Sequence, residues 1–246
     1  MDRLTTAAAN GLQARMDAID MLANNIANTS TAGFKADREF YSTYLAPEIG
    51  NGSQESIGES PVVQRQWTDF SQGTLVPTNN PTDLALSGAG FFVINGPAGP
   101  LYTRNGSFQM STGGVLTTAE GYPVQLSGGG SLQANSGSPI TVRGDGSVLQ
   151  DGNVIGQLQI VDFTDPSKLT RANGPYFQNS DPVANATKPS QAVVYQGKVE
   201  NSNAQAAESA ARMVGILRHY EMLQRAVRLG TEMSQQAVQE VARVGS

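Results

Sequence analysis

The residues able to do chemistry are few, and their settings argue against a catalytic centre. Carboxylate pairs occur at Asp145 with Asp151 and at Asp162 with Asp165, and two acids sharing a cleft could do acid–base work. Each pair instead stands beside glycine or proline, the setting of a turn in which Asp bonds its own backbone. No stretch places Asp or Asn at alternating positions with a distal Glu, as a calcium loop requires. The single histidine, His219, would have to be the base of any Ser-His-Asp triad, yet it sits beside Tyr220 inside a helical pattern. One histidine and no cysteine leave no multi-His cage, thiolate site, thiol nucleophile or disulfide. Gly88-Ala89-Gly90 lacks a phosphate-loop lysine and leads into a strand, so it is no nucleotide cradle. Arg104 has two readings: a solvated strand end, or a guanidinium fork that holds a loop or a neighbouring subunit. The sequence predicts no catalytic, cofactor-binding or metal-binding residue.

Composition narrows the partners. Sixteen Lys+Arg against 21 Asp+Glu give a net charge of −5, which disfavours a phosphate-binding surface and a nucleic-acid partner. No apolar run approaches the length of a membrane span, so no membrane insertion is expected. The N-terminus has no basic stretch followed by an apolar core, so no cleaved signal peptide is expected.

The positions of turn residues divide the 246-residue chain. All 12 prolines lie between Pro47 and Pro189, and 23 of the 27 glycines lie between Gly33 and Gly197. The ends therefore read as helices and the middle as strands and turns. From about Asp2 to Asn28, Leu12, Ile19 and Ile26 recur every seven residues, with Met16 and Leu22 between them. From about Asn203 to Arg243, Met213, Leu217, Tyr220, Leu223, Val227, Val238 and Val241 mark an apolar side, which Gly215 and Gly230 interrupt. Arg218 with Glu221 and Arg228 with Glu232 are spaced to pair on that helix surface. Such stripes need cover, because helical stability comes mostly from packing. Periodicity allows the helices to pack on each other or to lie across the central module. In the middle, Leu84-Ala85-Leu86 and Gly90-Phe91-Phe92-Val93-Ile94 read as strands around a glycine turn, and Asn105-Gly106 as a hairpin turn. Asp145-Gly146 and Asp151-Gly152 bracket a short strand, and Ile155 to Phe163 alternates apolar with polar or small residues. Gly50 to Ser60 and Ser127 to Ser138 read as exposed loops.

Family resemblance enters at Ala23-Asn24-Asn25-Ile26-Ala27-Asn28-Thr29-Ser30-Thr31-Ala32-Gly33-Phe34-Lys35. This run resembles the signature of bacterial flagellar axial proteins, the rod and hook family. Physically, Asn24, Asn25 and Asn28 offer amides to backbone groups at a helix end, Gly33 suits a positive-φ turn, and Phe34 can plug an apolar pocket. Asn80-Pro81-Thr82-Asp83-Leu84-Ala85-Leu86, Gly90-Phe91-Phe92-Val93, Tyr102-Thr103-Arg104-Asn105-Gly106-Ser107-Phe108 and Gly121-Tyr122-Pro123-Val124 are similar to the family's strand motifs. Gln196-Gly197-Lys198-Val199-Glu200-Asn201-Ser202-Asn203 and Arg218-His219-Tyr220-Glu221-Met222 are similar to its C-terminal pattern.

The resemblance implies an α+β fold. Paired N- and C-terminal helices would form a coiled-coil-like tube domain, with a central antiparallel all-β domain outside it. The implied bounds are 1–34 for the N-terminal helix, 35–79 for an extended connector, 80–196 for the β domain and 197–246 for the C-terminal helix. It also implies a structural subunit of the basal-body rod, whose partners are other rod subunits, further copies of itself and the flagellar type III export apparatus. The chain is too short for a typical hook protein and its single β module fits a proximal or a distal rod subunit; a tail without Gln-Met-Leu favours the proximal place, with a distal or short hook-type axial subunit as the alternative. The expected assembly interface is Leu12, Ile19, Leu22, Asn24, Asn25, Ile26, Asn28, Gly33 and Phe34, with Met213, Leu217, Tyr220, Leu223 and Val227. A β-rich carbohydrate-binding or hydrolytic module is the rival from another class. Its hydrolytic form needs paired carboxylates in a cleft, and every pair here reads as a turn.

Overall fold

Freedom from proline lets each end run as one helix: α1 spans Arg3–Ala27 and α2 spans Ala206–Val244, 39 residues and about 58 Å. These bounds match the sequence expectation within a few residues. α2 runs through Gly215 and Gly230, which interrupt its apolar side but not the helix, since a helical glycine weakens a helix without breaking it. The computed structural model describes residues 3–44, 60–135, 137–179, 186–187 and 191–244. The expected loop at Gly50 to Ser60 falls almost wholly outside them, as do the side chains of Val238 and Val241.

Between the helices the strands follow in chain order: β1 (Asp37–Tyr44), β2 (Ser60–Thr68), β3 (Leu75–Pro77), β4 (Leu84–Ser87), β5 (Phe91–Gly96) and β6 (Gly99–Thr103). Next come β7 (Gln109–Met110), β8 (Leu116–Thr117), β9 (Ile140–Val142), β10 (Ser147–Gln150), β11 (Asn153–Gln157) and β12 (Ile160–Phe163). The series closes with β13 (Leu169–Asn173), β14 (Tyr176–Asn179), β15 (Ala186–Thr187), β16 (Val193–Gln196) and β17 (Lys198–Glu200). The fold is α+β, with two terminal helices and a central antiparallel β domain.

The chain divides into two compact units. One comprises Met1–Ile26, Asp37–Trp67 and Ala206–Ser246; the other comprises Ala27–Ala36 and Thr68–Gln205. In the first, Ala18, Met21 and Leu22 of α1 pack on Ile216 of α2, with Ile19 and Met213 at the margin. Leu223 lies over Gly11, where an added Cβ would sit 3.6 Å from its Cδ1. Late α1 thus meets early α2, and early α1 meets later α2, so the helices run antiparallel along a short seam. Among the described residues of α2, Glu208 pairs with Arg212 at 2.9 Å, one turn apart, rather than the expected Arg218 with Glu221 or Arg228 with Glu232.

The strand-rich unit is built on a six-stranded antiparallel sheet of order β13-β14-β6-β5-β12-β15. All four residues Phe91 to Ile94 of β5 are buried, because both faces of this strand are covered. Phe92 and Ile94 face the larger core with Leu84, Leu86, Phe108, Leu116, Val148 and Leu158. Phe91 and Val93 face a second cluster with Tyr102, Phe163, Leu169 and Phe177, which Phe70 flanks. The unit reaches beyond the expected 80–196 at both ends: β3 pairs β17, and both lie outside those bounds. Residues 35–79, expected as an extended connector, carry β1, β2 and β3.

Three local expectations change. β4 pairs β16, not β5, so the Gly88–Gly90 turn joins strands of different sheets. Asn105-Gly106 is not a hairpin turn; that role falls between Gly96 and Gly99 of β5 and β6. Gly106 is needed instead for close approach: its carbonyl accepts from the Leu84 N–H, and an added Cβ would lie 1.6 Å from the Leu84 oxygen. The alternation from Ile155 to Phe163 splits into β11 of a three-stranded sheet and β12 of the six-stranded one. The expected turn around Asp151-Gly152 is present, with positive φ at both residues.

Phe92, fully buried and edge-to-face with Phe108 at 5.3 Å, is the test of the two-faced core. Phe92→Ala is expected to cost the strand-rich unit about 3–5 kcal/mol, read as an earlier urea transition.

Candidate functional site

Within the strand-rich unit, the segment that follows α1 meets the segment that precedes α2. Thr31 starts a turn by donating its N–H to the Asn28 carbonyl, and Gly33 continues it at φ 66°. A Cβ at Gly33 would lie 2.1 Å from the Asn105 nitrogen, so neither the conformation nor the space admits another residue. The Gly33 N–H donates to the Glu200 carbonyl at 2.7 Å.

Phe34 follows and is fully buried beside Ala36 and Ala204. The Arg171 guanidinium lies 4.6 Å from its ring centroid and 4.9 Å from that of Phe177. The same guanidinium donates to the Lys35 carbonyl at 2.6 Å and to the Gly174 carbonyl at 2.7 Å. Asn203 seals the next position. Its Oδ1 accepts from the Ala36 N–H at 2.7 Å, and its Nδ2 donates to the Asp69 carbonyl at 2.7 Å.

At the centre are three charges. Lys35 Nζ donates to Glu200 Oε1 at 2.5 Å and to the Ser71 carbonyl at 2.6 Å. Arg104 Nη1 reaches Glu200 Oε2 at 3.4 Å, while Nη2 donates to the Gly88 carbonyl at 2.7 Å. The Gly73 N–H completes Oε1 at 2.8 Å. Side-chain exposure is zero at Lys35 and Glu200 and 5% at Arg104. Two cations thus share one carboxylate out of water. Burial pushes the Lys35 ammonium below its ordinary 10.5, while Glu200 pulls it back up. Burial likewise lowers Arg104, opposed by Glu200 and, at longer range, Asp162.

This arrangement fastens chain segments to one another. Glu200 Oε1 accepts from Lys35 and Gly73 and Oε2 has the longer Arg104 contact, while neither the carboxylate nor the ammonium has exposed surface. The carboxylate pairs behave as turns: Asp145 accepts from the Ser147 N–H and hydroxyl, and Asp165 caps a short 3-10 helix by accepting from the Ser167 N–H. His219 is an exposed residue of α2.

The structure separates the expected interface residues. Gly33 and Phe34 are consumed inside the chain. Asn25 is buried, its amide donating to the Asp37 carbonyl at 2.7 Å and accepting from the Asp37 N–H at 3.0 Å. Asn28 holds the Thr31 hydroxyl at 3.1 Å. Leu22 is buried; Leu12, Ile19, Ile26, Met213, Tyr220, Leu223 and Val227 are half-buried; Asn24 and Leu217 are exposed. Arg104 is the fork that holds a loop, not a solvated strand end. Sequence reasoning gave neither Lys35 nor Glu200 a role as a charge partner; Glu200 ends β17, fully buried.

The charge count sets two expectations. Glu200→Gln leaves two buried cations against a neutral amide and is expected to cost about 3–5 kcal/mol, whereas Lys35→Met leaves Arg104 and Glu200 balanced and costs less than half of that. Folded Lys35 releases its proton below 10.5, so between its lowered pKa and 10.5 the unfolded chain binds more protons. Wild-type unfolding free energy therefore rises with pH across that alkaline window, and Lys35→Met removes the rise. Urea unfolding of both variants at several alkaline pH values measures both effects.

Comparison with known proteins follows the same three segments. Residues 6–35 match the family model described as flagella basal body rod protein, residues 85–155 that of the flagellar hook protein FlgE/F/G D1 domain, and residues 195–240 that of the flagellar basal body rod FlgEFG protein C-terminal. Lys35, Arg104 and Glu200 fall one in each match. The chain is 30% identical over 251 residues to the flagellar basal-body rod protein FlgG of Buchnera aphidicola subsp. Schizaphis graminum, covering 93% of this chain and 96% of that one. It is 32% identical over 232 residues to the flagellar basal-body rod protein FlgF of Caulobacter vibrioides, covering 92% of each. With helices at both ends, the strand domain between them and all three family segments in order, this chain belongs to the flagellar basal-body rod proteins, as an FlgF- or FlgG-type member.

Proposed function

We propose that this chain is a structural subunit of the flagellar basal-body rod that assembles helically, with further copies and other rod subunits, through α1 and α2. Family membership supports the rod and its place in the basal body. The observation that carries the mode of assembly is the apolar surface left on α2: Val214, Leu217, Met222, Leu229 and Met233 are 42–70% exposed although α1 packs on part of the helix. Apolar side chains repeated along one long helix call for cover, and helices of neighbouring copies supply it in every subunit alike. A head-to-tail contact of this kind that does not close on itself generates a filament.

On this reading the terminal helices form the coiled-coil-like inner tube and the strand-rich unit is the outer domain. The clasp around Glu200 acts within the chain, holding the segments that lead from α1 and into α2. Delivery is through the flagellar type III export apparatus without cleavage of a signal peptide. The two relatives named for FlgF and FlgG stand at nearly equal identity, so the proximal place rests on the C-terminal residues, where Glu232-Met233 runs into Ser234-Gln235-Gln236.

Leu217 is the discriminating position, because it belongs to the expected stripe yet is 42% exposed within the chain. Leu217→Asp is expected to leave the urea transition of the strand-rich unit within about 0.5 kcal/mol of wild type. The same substitution is expected to keep the chain out of isolated basal bodies and to abolish motility. Normal incorporation of the variant would refute the helix interface.

A further inference from the structure

The chain holds seven methionines and no cysteine, so thioethers are its only sulfur and no thiol competes with them for an oxidant. The structure sorts the methionines among the described residues into two groups. Met21 is 9% exposed and Met213 half-buried, both where α1 packs on α2. Met110 is half-buried against the larger core of the strand-rich unit. Met16, Met222 and Met233 are 47%, 56% and 70% exposed, and all three lie on the helices. Met222 and Met233 stand eleven residues apart on α2, close to three turns at about 3.6 residues per turn, so they share one side of the helix with Leu229 between them. That side is part of the apolar surface on which the proposed assembly rests.

We propose that Met222 and Met233 form a reversible oxidation site, at which a peroxide converts both thioethers to sulfoxides and so withdraws the unassembled subunit from assembly. The consequence for assembly rests on the reading of α2 as the contact surface; the selectivity of the oxidation does not. In the reaction a sulfur lone pair attacks one oxygen of hydrogen peroxide, and an S–O bond forms as the O–O bond breaks. Sulfur is oxidised by two electrons, the transferred oxygen gives its proton to the departing hydroxide, and that leaves as water. The reagent is neutral and close to water in size, so reactivity follows how far each side chain meets solvent, and the exposures above become a ranking of rates. The product carries a polar oxygen where a flexible apolar side chain stood. Solvent satisfies that oxygen on the free chain, but the apolar side chains of a neighbouring helix do not, and burying it without a partner is costly. The contact between α1 and α2 survives, because Met21 and Met213 are covered there. A sulfoxide reductase returns the thioether, which makes the site a switch and not only a lesion.

The first arm of the test treats the full purified chain with hydrogen peroxide and follows oxygen addition at each methionine by peptide mass spectrometry. Met222 and Met233 are expected to oxidise about fivefold faster than Met21 or more. Equal rates at Met21, Met222 and Met233 overturn the site. The second arm measures incorporation into isolated basal bodies. Met222→Leu combined with Met233→Leu keeps the surface apolar without sulfur. It is expected to incorporate like wild type, and to go on doing so in peroxide-treated cells, where incorporation of newly made wild-type chain falls about threefold or more. Met222→Gln combined with Met233→Gln puts a polar group of similar length in place of each sulfoxide and is expected to stay out. Equal incorporation of the Leu and Gln variants, or equal peroxide sensitivity of wild type and the Leu variant, overturns the switch. Leu217→Asp tells the two failures apart. If it incorporates normally, the helix interface itself falls; if it is excluded while the Gln variant incorporates normally, only the oxidation switch falls.

Discussion

Glu200 is the constraint on which the rest of the strand-rich unit hangs. A carboxylate with no exposed surface can stay ionised only if cations and N–H donors replace all of its water. Here the replacements come from three remote parts of the chain: Lys35 after the first helix, Gly73 before β3, and Arg104 after β6. None of them can be supplied locally by β17. The ion cluster therefore exists only when the N-terminal turn, the sheet and the C-terminal segment have all arrived. A buried salt bridge is weak evidence for net stability, because desolvation offsets most of its attraction. Its consequence here is conditional. Once the surroundings are built, withdrawing any one segment leaves the others charged and dry.

The surplus positive charge gives the cluster a direction. With two cations to one anion, the carboxylate is the member whose loss is hardest to compensate, and Arg104 Nε is left without a partner. Arg104 also lies 5.3 Å from the Phe91 ring centroid, and Arg171 bridges the rings of Phe34 and Phe177. Aromatic faces thus take up part of the charge that carboxylates do not. This ties the clasp to the second core cluster, since Phe91 and Phe177 belong to both. Phe34 joins the same network from the turn, which explains why an apolar plug and a lysine stand next to each other in sequence.

What could be read from the sequence follows the range of the interactions. The helix bounds were legible because they depend on local punctuation: proline-free ends and a glycine-rich middle. β5 was legible because Phe91 to Ile94 is a short apolar run between turn residues. Gly33 and Phe34 were legible as a turn and a plug, and Arg104 as a fork, though not what each of them holds. Strand partners were not legible. β4 pairs β16 more than a hundred residues away, and nothing local distinguishes that partner from β5. Asn105-Gly106 misled because two different needs select glycine: positive φ in a hairpin, and closeness to the Leu84 backbone here. The role of Glu200 was not legible, because a charged residue shortly before a helix normally belongs to solvent and its partners lie 165, 127 and 96 residues away.

The two apolar clusters and the apolar surface of α2 obey the same rule with different outcomes. On β5, alternation sends successive side chains to opposite faces, and the chain itself covers both. On α2, the 3.6-residue repeat sends Ile216 and Met213 toward α1 but leaves Val214, Met222, Leu229 and Met233 roughly on the far side. One 25-residue partner cannot cover two sides of a 39-residue helix. Full burial of a side chain of this kind contributes on the order of 2 kcal/mol, so the uncovered row holds a driving force comparable to the whole stability of a small domain. The same surface would be a liability on a solitary protein and is an asset on one that meets copies of itself. Ionic and aromatic contacts thus complete the strand-rich unit internally, while α2 leaves apolar surface that the chain does not cover, the surface on which the proposed assembly rests.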